Sequence, residues 1–100
     1  MQKDIKIGER SVTMKASAAS TFVYQELFGR SLFKDLDEAI TNQDIGNFSK
    51  AAYCFAYQAG ERTPFMEWVD NFEQYDMNEA VPDIVDLWQR LNATQSKPKK

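Results

Sequence analysis

Three groups of carboxylates are spaced closely enough along the chain to suggest acid–base chemistry. They are Asp35, Asp37 and Glu38; Asp70 and Glu73; and Asp83 and Asp86. General acid–base catalysis needs groups held in environments that move their pKa values apart. Each of these groups instead falls on the polar side of a predicted amphipathic helix, where contact with solvent is the ordinary reason for a carboxylate.

Other side chains that catalyse reactions or bind metals are scarce. The sequence has no histidine, which removes the commonest general base and the commonest metal ligand. A single cysteine, Cys54, cannot complete a zinc site of the usual ligand sets within one chain. The four glycines fall at predicted element ends and form no phosphate-binding loop. We therefore expect a protein that is not an enzyme and that uses no cofactor or metal.

Aromatic residues are the main candidates for contact with a partner. The segment YCFAYQAGERTPFMEW, residues 53–68, has five aromatic residues in sixteen positions. The candidate partner-binding residues are Tyr53, Tyr57, Phe65, Trp68 and Trp88. Each of them also fits the core of a small domain. The two tyrosines are the better contact candidates, because tyrosine is enriched at interfaces where one end of the ring stays wet.

The composition is that of one small domain. The chain has 100 residues, 43% of them hydrophobic, which is enough for a core without disulfides or metals. No stretch reaches the roughly twenty apolar residues of a membrane span, and the N-terminus lacks the apolar core of a secretory signal. With a net charge of −3 and one cysteine, we expect a soluble cytosolic protein that binds neither membranes nor nucleic acid.

Residues 3–7 and 11–15 alternate apolar and polar side chains on either side of Gly8. Alternation around a turn residue indicates a β-hairpin. Its apolar face would consist of Ile5, Ile7, Val12 and Met14. Because two strands are barely stable alone, we expect this face to pack on the rest of the chain.

Five short helices are predicted after the hairpin. Their approximate ranges are residues 18–28, 31–40, 47–59, 64–72 and 78–92. The candidate N-cap residues are Ser17, Ser31 and Thr63. Pro82 is expected in the first turn of the last helix, because an interior proline would cost about 3 kcal/mol.

The 3.6-residue spacing of apolar positions assigns a face to each helix. The first helix has its stripe at Ala19, Phe22, Val23 and Leu27, and the second at Leu32, Phe33, Leu36, Ala39 and Ile40. Asp35 falls on the polar side of the second helix. The third helix is apolar over most of its circumference, which predicts either a central position, with Phe55 in the core, or contact with a partner.

Together these elements predict a mostly helical α+β fold. It would be one compact domain over residues 1–92, with a short N-terminal β-hairpin followed by about five short helices. Residues 93–100 lack apolar periodicity and include Lys97, Lys99 and Lys100. They are predicted to form a flexible basic tail.

The order of these segments resembles a known family. Residues 14–36, MKASAASTFVYQELFGRSLFKDL, are followed by AAYCFAYQAG, FMEWVDNFE and IVDLWQRLN. This layout, over roughly residues 12–92, resembles the small tail assembly chaperones of long-tailed phages and prophages of Gram-positive bacteria. The individual motifs are short, and it is their order, spacing and the chain length that carry the resemblance.

The resemblance implies a non-catalytic function in phage tail assembly. Such a chaperone binds the tape-measure protein, keeps it soluble and helps to recruit tail-tube subunits. It acts in the cytoplasm of the bacterial host and is absent from the mature virion. The family often also produces a longer form by frameshifting near the end of the gene. Self-association along the tape-measure protein is a further expectation, motivated by the surplus of aromatic residues.

Two other functions fit parts of the sequence. A small acidic helical inhibitor of a host protein would need the same exposed aromatic residues. A DNA-binding regulator could use the turn at Gly29-Arg30-Ser31. However, the helix after that turn presents Lys34 beside a group of acidic residues, which would repel phosphates.

Overall fold

Two strands and five helices follow one another along the chain. They are β1 (Gln2–Ile7), β2 (Arg10–Lys15), α1 (Ser20–Phe28), α2 (Leu32–Asn42), α3 (Ile45–Gln58), α4 (Phe65–Val69) and α5 (Gln74–Ser96). This computed structural model describes residues 1–96, with the side chains of residues 1–91. The predicted fold class, a mostly helical α+β protein with an N-terminal hairpin, is confirmed.

The hairpin buries one face against the helices. Its strands are antiparallel, with Ile5 opposite Val12. The predicted apolar face is confirmed, since Ile5, Ile7 and Met14 are buried and Val12 is half-buried. β1 packs on α5 and β2 packs on α3, which gives a two-stranded sheet the support that it needs.

The turn of the hairpin lies against the start of α5. Its two residues are Gly8 and Glu9, and Gly8 has a φ of 67°, a left-handed value that glycine adopts at little cost. A Cβ atom at this position would lie only 2.5 Å from Oδ2 of Asp76. The backbone angle therefore favours glycine here, and any larger residue would also displace the Asp76 side chain.

Helix α3 is the centre of the fold. The other four helices and β2 all pack on it. The Asp44 carboxylate caps its first turn by accepting two backbone N–H bonds, at 3.0 and 3.4 Å. Residues 47–56 are all buried except for the half-buried Lys50, and Phe55 is completely buried. The apolar circumference of this helix is thus explained by its central position.

Helix α1 begins later than predicted and buries a different face. Ala19 occupies the N-cap position without a side-chain bond, so Ser17 is not the cap. Ser17 instead donates its backbone N–H to Oγ of Ser20 at 3.0 Å. The fully buried residues are Ser20 and Tyr24, whereas Phe22, predicted in the apolar stripe, is 71% exposed. Hydrogen bonds of Ser20 and Tyr24 to groups inside the protein therefore determine which face of this helix is buried.

Helix α2 has the predicted cap and part of the predicted face. Ser31 Oγ accepts the Lys34 N–H at 3.3 Å, which confirms the N-cap. The buried apolar residues are Leu32, Leu36 and Ala39. Phe33 and Ile40 belong to the predicted stripe, yet both are exposed, and Asp35, predicted on the polar side, is buried.

The Asp35 carboxylate joins α1, the following turn and α2. Arg30 donates to its two oxygens from Nε at 2.8 Å and from Nη2 at 2.9 Å, and the Tyr24 hydroxyl donates at 2.7 Å. The hydrogen bonds from Arg30, and secondarily that from Tyr24, hold the pKa of Asp35 below its ordinary value even though burial opposes this. Burial, together with the bond to Asp35, raises the pKa of Tyr24 well above its ordinary value. The prediction of a solvated Asp35 is therefore wrong, because its partners come from outside its own helix.

Helix α4 is a short segment between two turns. Pro64 rather than Thr63 occupies its N-cap position, so the cap has no side-chain bond. The backbone of Thr63 is used elsewhere: its N–H donates to Oε2 of Glu61 at 3.1 Å, and its carbonyl accepts the hydroxyl of Tyr53. These bonds fix the loop between α3 and α4, and the predicted Thr63 cap is wrong.

Helix α5 is longer than predicted at both ends. It begins at Gln74, so Pro82 lies inside the helix instead of in its first turn. Pro82 is exposed, and so is Asn78, whose carbonyl loses its helical donor and can be hydrated. The helix continues through Ser96, beyond the predicted end at Asn92. The rest of the predicted tail, residues 97–100, lies outside the described residues.

Candidate functional site

Four of the five predicted contact residues meet at one end of α3. The centroid of the Tyr53 ring lies 6.0 Å from that of Tyr57, 5.4 Å from Phe65 and 5.3 Å from Trp68. Phe28 of α1 adds a ring 5.3 Å from Phe65. Tyr53 and Trp68 are each 4% exposed, while Tyr57 and Phe65 are half-buried. The rings therefore pack α1, α3 and α4 together.

Replacing Tyr53 by phenylalanine is expected to lower the free energy of unfolding by about 1 kcal/mol and to leave partner binding unchanged. The reason is the bond from its hydroxyl to the Thr63 carbonyl, 2.6 Å long, in a mostly buried place. Urea unfolding measures the change, with Tyr57→Phe as the control because the Tyr57 hydroxyl has no hydrogen-bond partner within the described residues. Unchanged stability combined with weaker partner binding would instead make Tyr53 a contact residue.

Trp88, the fifth predicted residue, lies apart from the Tyr53 cluster. Its ring stacks on Phe55 of α3, with the centroids 6.4 Å apart and the planes at 25°. Phe33 of α2 packs against it edge-to-face at 4.9 Å. Trp88 is 6% exposed and Phe33 is 53% exposed. Trp88 is thus the floor of a surface on which Phe33 is an accessible member.

An apolar groove runs between α2 and α5. Both helices pack on α3, but in the described part of the chain their backbones do not contact each other. We define the α2–α5 groove by its large apolar side chains, Phe22, Phe33, Ile40, Val81, Val85 and Trp88. Of the six large apolar side chains that are exposed within residues 1–91, three belong to it: Phe22, Phe33 and Ile40. This concentration makes the groove the strongest candidate for a binding site.

Three adjoining cavities make up the groove. Their volumes are about 250, 460 and 360 Å³, in order from the Phe22 end. The first and second share Phe33 and Trp88, and the second and third share Ile40. The groove is therefore continuous from α1 to the two valines of α5. An elongated apolar channel suits the apolar face of a helix better than it suits a compact polar substrate.

The groove exists because α2 carries more apolar surface than α3 covers. The stripe packed against α3 is formed by Leu32, Leu36 and Ala39. Phe33 and Ile40 flank this stripe seven positions apart, so they lie on the same side of the helix, two turns from each other. On the opposite wall, Val81 and Val85 are one turn apart and half-buried. The walls are thus formed by two regular helices.

The rim of the groove is polar. Lys34 and Asp37 line the cavity beside Phe33, and both are exposed. Gln43 and Asn78 line the cavity at the other end. Exposed charges add little binding energy, but a pair of opposite sign favours one orientation of a partner. An apolar floor with a polar rim is the usual composition of a protein-binding surface.

The carboxylates and the cysteine of the described residues form no metal site. Within the described residues, no three His, Cys, Asp or Glu side chains are grouped so that they could hold a metal ion. Cys54 is buried, and burial raises the pKa of its thiol to about 12, so the thiol is protonated at neutral pH. Nor does any helix in residues 1–96 combine the length and the apolar character needed to cross a bilayer.

Trp88, which the sequence predicts as a contact residue, lines the groove, but the sequence prediction did not include the exposed side chains of its wall. Phe22, Phe33 and Ile40 lie in apolar stripes, which ordinarily form the core. Periodicity gives the direction of a face, whereas exposure depends on what another element covers. The width of the apolar stripe on α2 is the sequence signal that could have indicated exposed residues, because this stripe includes flanking as well as central positions. Such a wide stripe exceeds the contact that one neighbouring helix makes.

Comparison with known proteins adds no relative. No protein family, curated protein or solved structure matches this chain.

Proposed function

We propose that this protein is a phage tail assembly chaperone that holds amphipathic helical segments of a tape-measure protein in the α2–α5 groove. The observation that supports this most is the exposure of Phe22, Phe33 and Ile40 along one continuous apolar channel. A helix that lays its apolar face into such a channel removes both surfaces from water. The order of the sequence segments, which resembles that of this family, supplies the identity of the partner.

The dimensions of the groove match a repeating helical partner. Phe33 and Ile40 of α2 are seven residues apart, and so are Val81 and Trp88 of α5. At 1.5 Å per residue, each pair spans about 10.5 Å, the length of two helical turns. A long rod with apolar residues in a seven-residue pattern presents one repeat over the same distance. Each chaperone therefore covers about one repeat of the rod.

A chaperone that binds a single repeat of the rod makes a weak contact, but many such contacts together give a high overall affinity. Many copies along one tape-measure protein bind with a high effective concentration. The groove charges, Lys34 and Asp37, set the direction of each contact without adding much affinity. In this proposal the coated rod stays soluble in the bacterial cytoplasm, where neighbouring copies self-associate and recruit tail-tube subunits. The copies leave before the virion is complete.

Co-expression tests the proposal. A tape-measure protein from the same genome is produced in bacteria alone and together with the tagged chain, and its distribution between supernatant and pellet is measured. We expect it in the pellet when produced alone, and in the supernatant, co-purifying with the tagged chain, when produced together. If both proteins are well expressed and the tape-measure protein stays in the pellet without co-purification, the proposed function is wrong.

A further inference from the structure

We infer that the outer edge of β2 is a second binding site, which takes an extended peptide carrying carboxylate side chains. This site lies outside the α2–α5 groove and does not depend on the function proposed for that groove. The inference starts from the hydrogen-bond pattern of the hairpin. Met1 and Ala16 exchange both of their backbone bonds, at 2.8 and 2.9 Å. In an antiparallel pair, hydrogen-bonded positions alternate with non-hydrogen-bonded ones.

The alternation determines which backbone groups of β2 point away from β1. With the observed register, the bonded positions of β2 are Arg10, Val12 and Met14. The N–H and C=O groups of Ser11, Thr13 and Lys15 therefore point to the outer edge. Within the described residues, none of these groups has a hydrogen-bond partner. An edge of this kind is a template for an added strand.

A cleft lies along this edge. Its volume is about 510 Å³, and its walls are β2 residues 10–13 on one side and the loop of residues 59–63 on the other. Trp68 and Phe72 contribute the apolar part of the lining. The outward groups of Ser11 and Thr13 thus open into a surface cleft that is accessible from solvent. An extended peptide in this cleft would form a third strand against β2.

Two arginines give the cleft a positive charge. Arg10 lies over the Phe72 ring at 5.8 Å, and Arg62 lies over the Tyr57 ring at 4.0 Å. Neither guanidinium forms an ion pair with another described residue. The one carboxylate of the lining, that of Glu61, accepts the backbone N–H of Thr63 at 3.1 Å. Nη1 of Arg62 donates to the backbone carbonyls of Tyr57 and Glu61, both at 2.7 Å. The Arg10 guanidinium and the remaining N–H groups of Arg62 are the donors left for carboxylates of a ligand.

The positive charge of the cleft also excludes two other possible ligands. The chain's own C-terminal residues include Lys97, Lys99 and Lys100, which the two arginines would repel. A second copy pairing edge to edge through β2 would bring Arg10, Lys15 and Arg62 of both copies together. The ligand that fits is therefore an extended segment of another protein in which acidic residues alternate with apolar ones, so that one face of the added strand presents its carboxylates to Arg10.

A defined peptide tests this site. The probe is a fluorescent, end-blocked peptide of sequence Glu-Val-Glu-Val-Glu, titrated with the full chain and followed by anisotropy. Peptides in which lysine replaces glutamate, or in which alternate backbone nitrogens are methylated in either register, serve as ligand controls. We expect saturable binding of the glutamate peptide, and at least tenfold weaker binding of the lysine peptide and of the peptide methylated at the nitrogens that face β2. No binding of the glutamate peptide, or equal binding of the lysine peptide or of both methylated peptides, would overturn the inference.

Variants of the chain locate the binding. Arg10→Glu, alone and combined with Arg62→Glu, is expected to weaken binding at least tenfold. Lys6→Glu is the matched control, because Lys6 is an exposed cation on β1, opposite Ser11 across the pair and away from the outer edge of β2. Slower amide hydrogen exchange at Ser11 and Thr13 on addition of the peptide should accompany binding. Unaltered exchange at both amides, or equal losses in the Lys6 and Arg10 variants, would contradict it.

Discussion

Replacing Phe33 and Ile40 together by aspartate is expected to weaken binding of an amphipathic helical partner about 100- to 1,000-fold. Both side chains line the middle of the α2–α5 groove. Truncation of one central apolar contact commonly costs about 2 kcal/mol, and two such losses approach three powers of ten in affinity. The carboxylates would also have to be desolvated beneath the partner. Co-purification of the tape-measure protein with the double variant measures the loss.

The control for this experiment uses apolar side chains that are equally exposed but lie elsewhere. Met66→Asp combined with Tyr75→Asp changes residues that are 72% and 70% exposed and that do not line the groove. We expect this variant to retain the partner. Thermal unfolding of both variants separates a binding defect from a folding defect. If the Met66 and Tyr75 variant loses the partner while the groove variant retains it, the groove is not the binding site.

Replacing Asp35 by alanine is expected to lower the free energy of unfolding by about 2–4 kcal/mol. The variant leaves the hydroxyl of Tyr24 buried without an acceptor and removes both bonds from Arg30. Arg30 is half exposed and can be hydrated, which keeps the loss below that of a fully buried pair. Urea unfolding measures the change, and Asp37→Ala, on the exposed side of α2, should stay within about 0.5 kcal/mol of the wild type. Equal stability of the two variants would show that the Asp35 network is not needed.

The same network predicts how stability depends on pH. Because the pKa of Asp35 is lower in the folded protein than its ordinary value of 3.8, its contribution is complete above that value and is lost as pH falls through the folded-state pKa. The pKa of Tyr24 is raised above 10.0, so its contribution is complete below pH 10 and is lost as pH rises further. Urea unfolding of the wild type and of Asp35→Asn between pH 2 and pH 5 checks the acid limb, which should be flatter in the variant.

The sequence predicts an element reliably where several local signals agree. The hairpin has alternation over both strands and a glycine at the turn, and its buried face is the predicted one. In α3, alanines at helical spacing outweigh the strand-like alternation of Tyr53, Phe55 and Tyr57. These signals depend on residues close together in sequence, and so they can be interpreted without knowledge of the tertiary structure.

The predictions from sequence are wrong where the burial of a side chain depends on a partner in another element of the fold. Asp35 lies three residues after Leu32 and four before Ala39, on the side of α2 that faces inward. A carboxylate there is tolerable only because Arg30 and Tyr24 bind it. Whether such partners meet in space cannot be deduced from helical periodicity. The same limit applies to α1, where partners of Ser20 and Tyr24 turn those residues inward.

The candidate site shows the same division. Aromatic content led to Tyr53 and Trp68, but in a small fold the largest rings are also the best packing material, and both are buried. Trp88 was identified because it is aromatic, whereas Phe33 and Ile40 matter because α2 and α5 stand apart. The distance between two helices is a tertiary property. Sequence periodicity therefore predicts which residues could form such a groove but not that one is left open.

The central position of α3 governs the order in which the chain can fold during translation. Residues 1–44 precede α3, and the apolar face of β1 is covered by α5, which is synthesised after the other described elements. Because translation adds about 5–20 residues per second, on the order of 10 s separate the synthesis of the hairpin from that of α5. A nascent chain stalled before α5 would present Ile5 and Ile7 to proteases and to other chains. Burial of the apolar face of β1 therefore depends on the synthesis of α5.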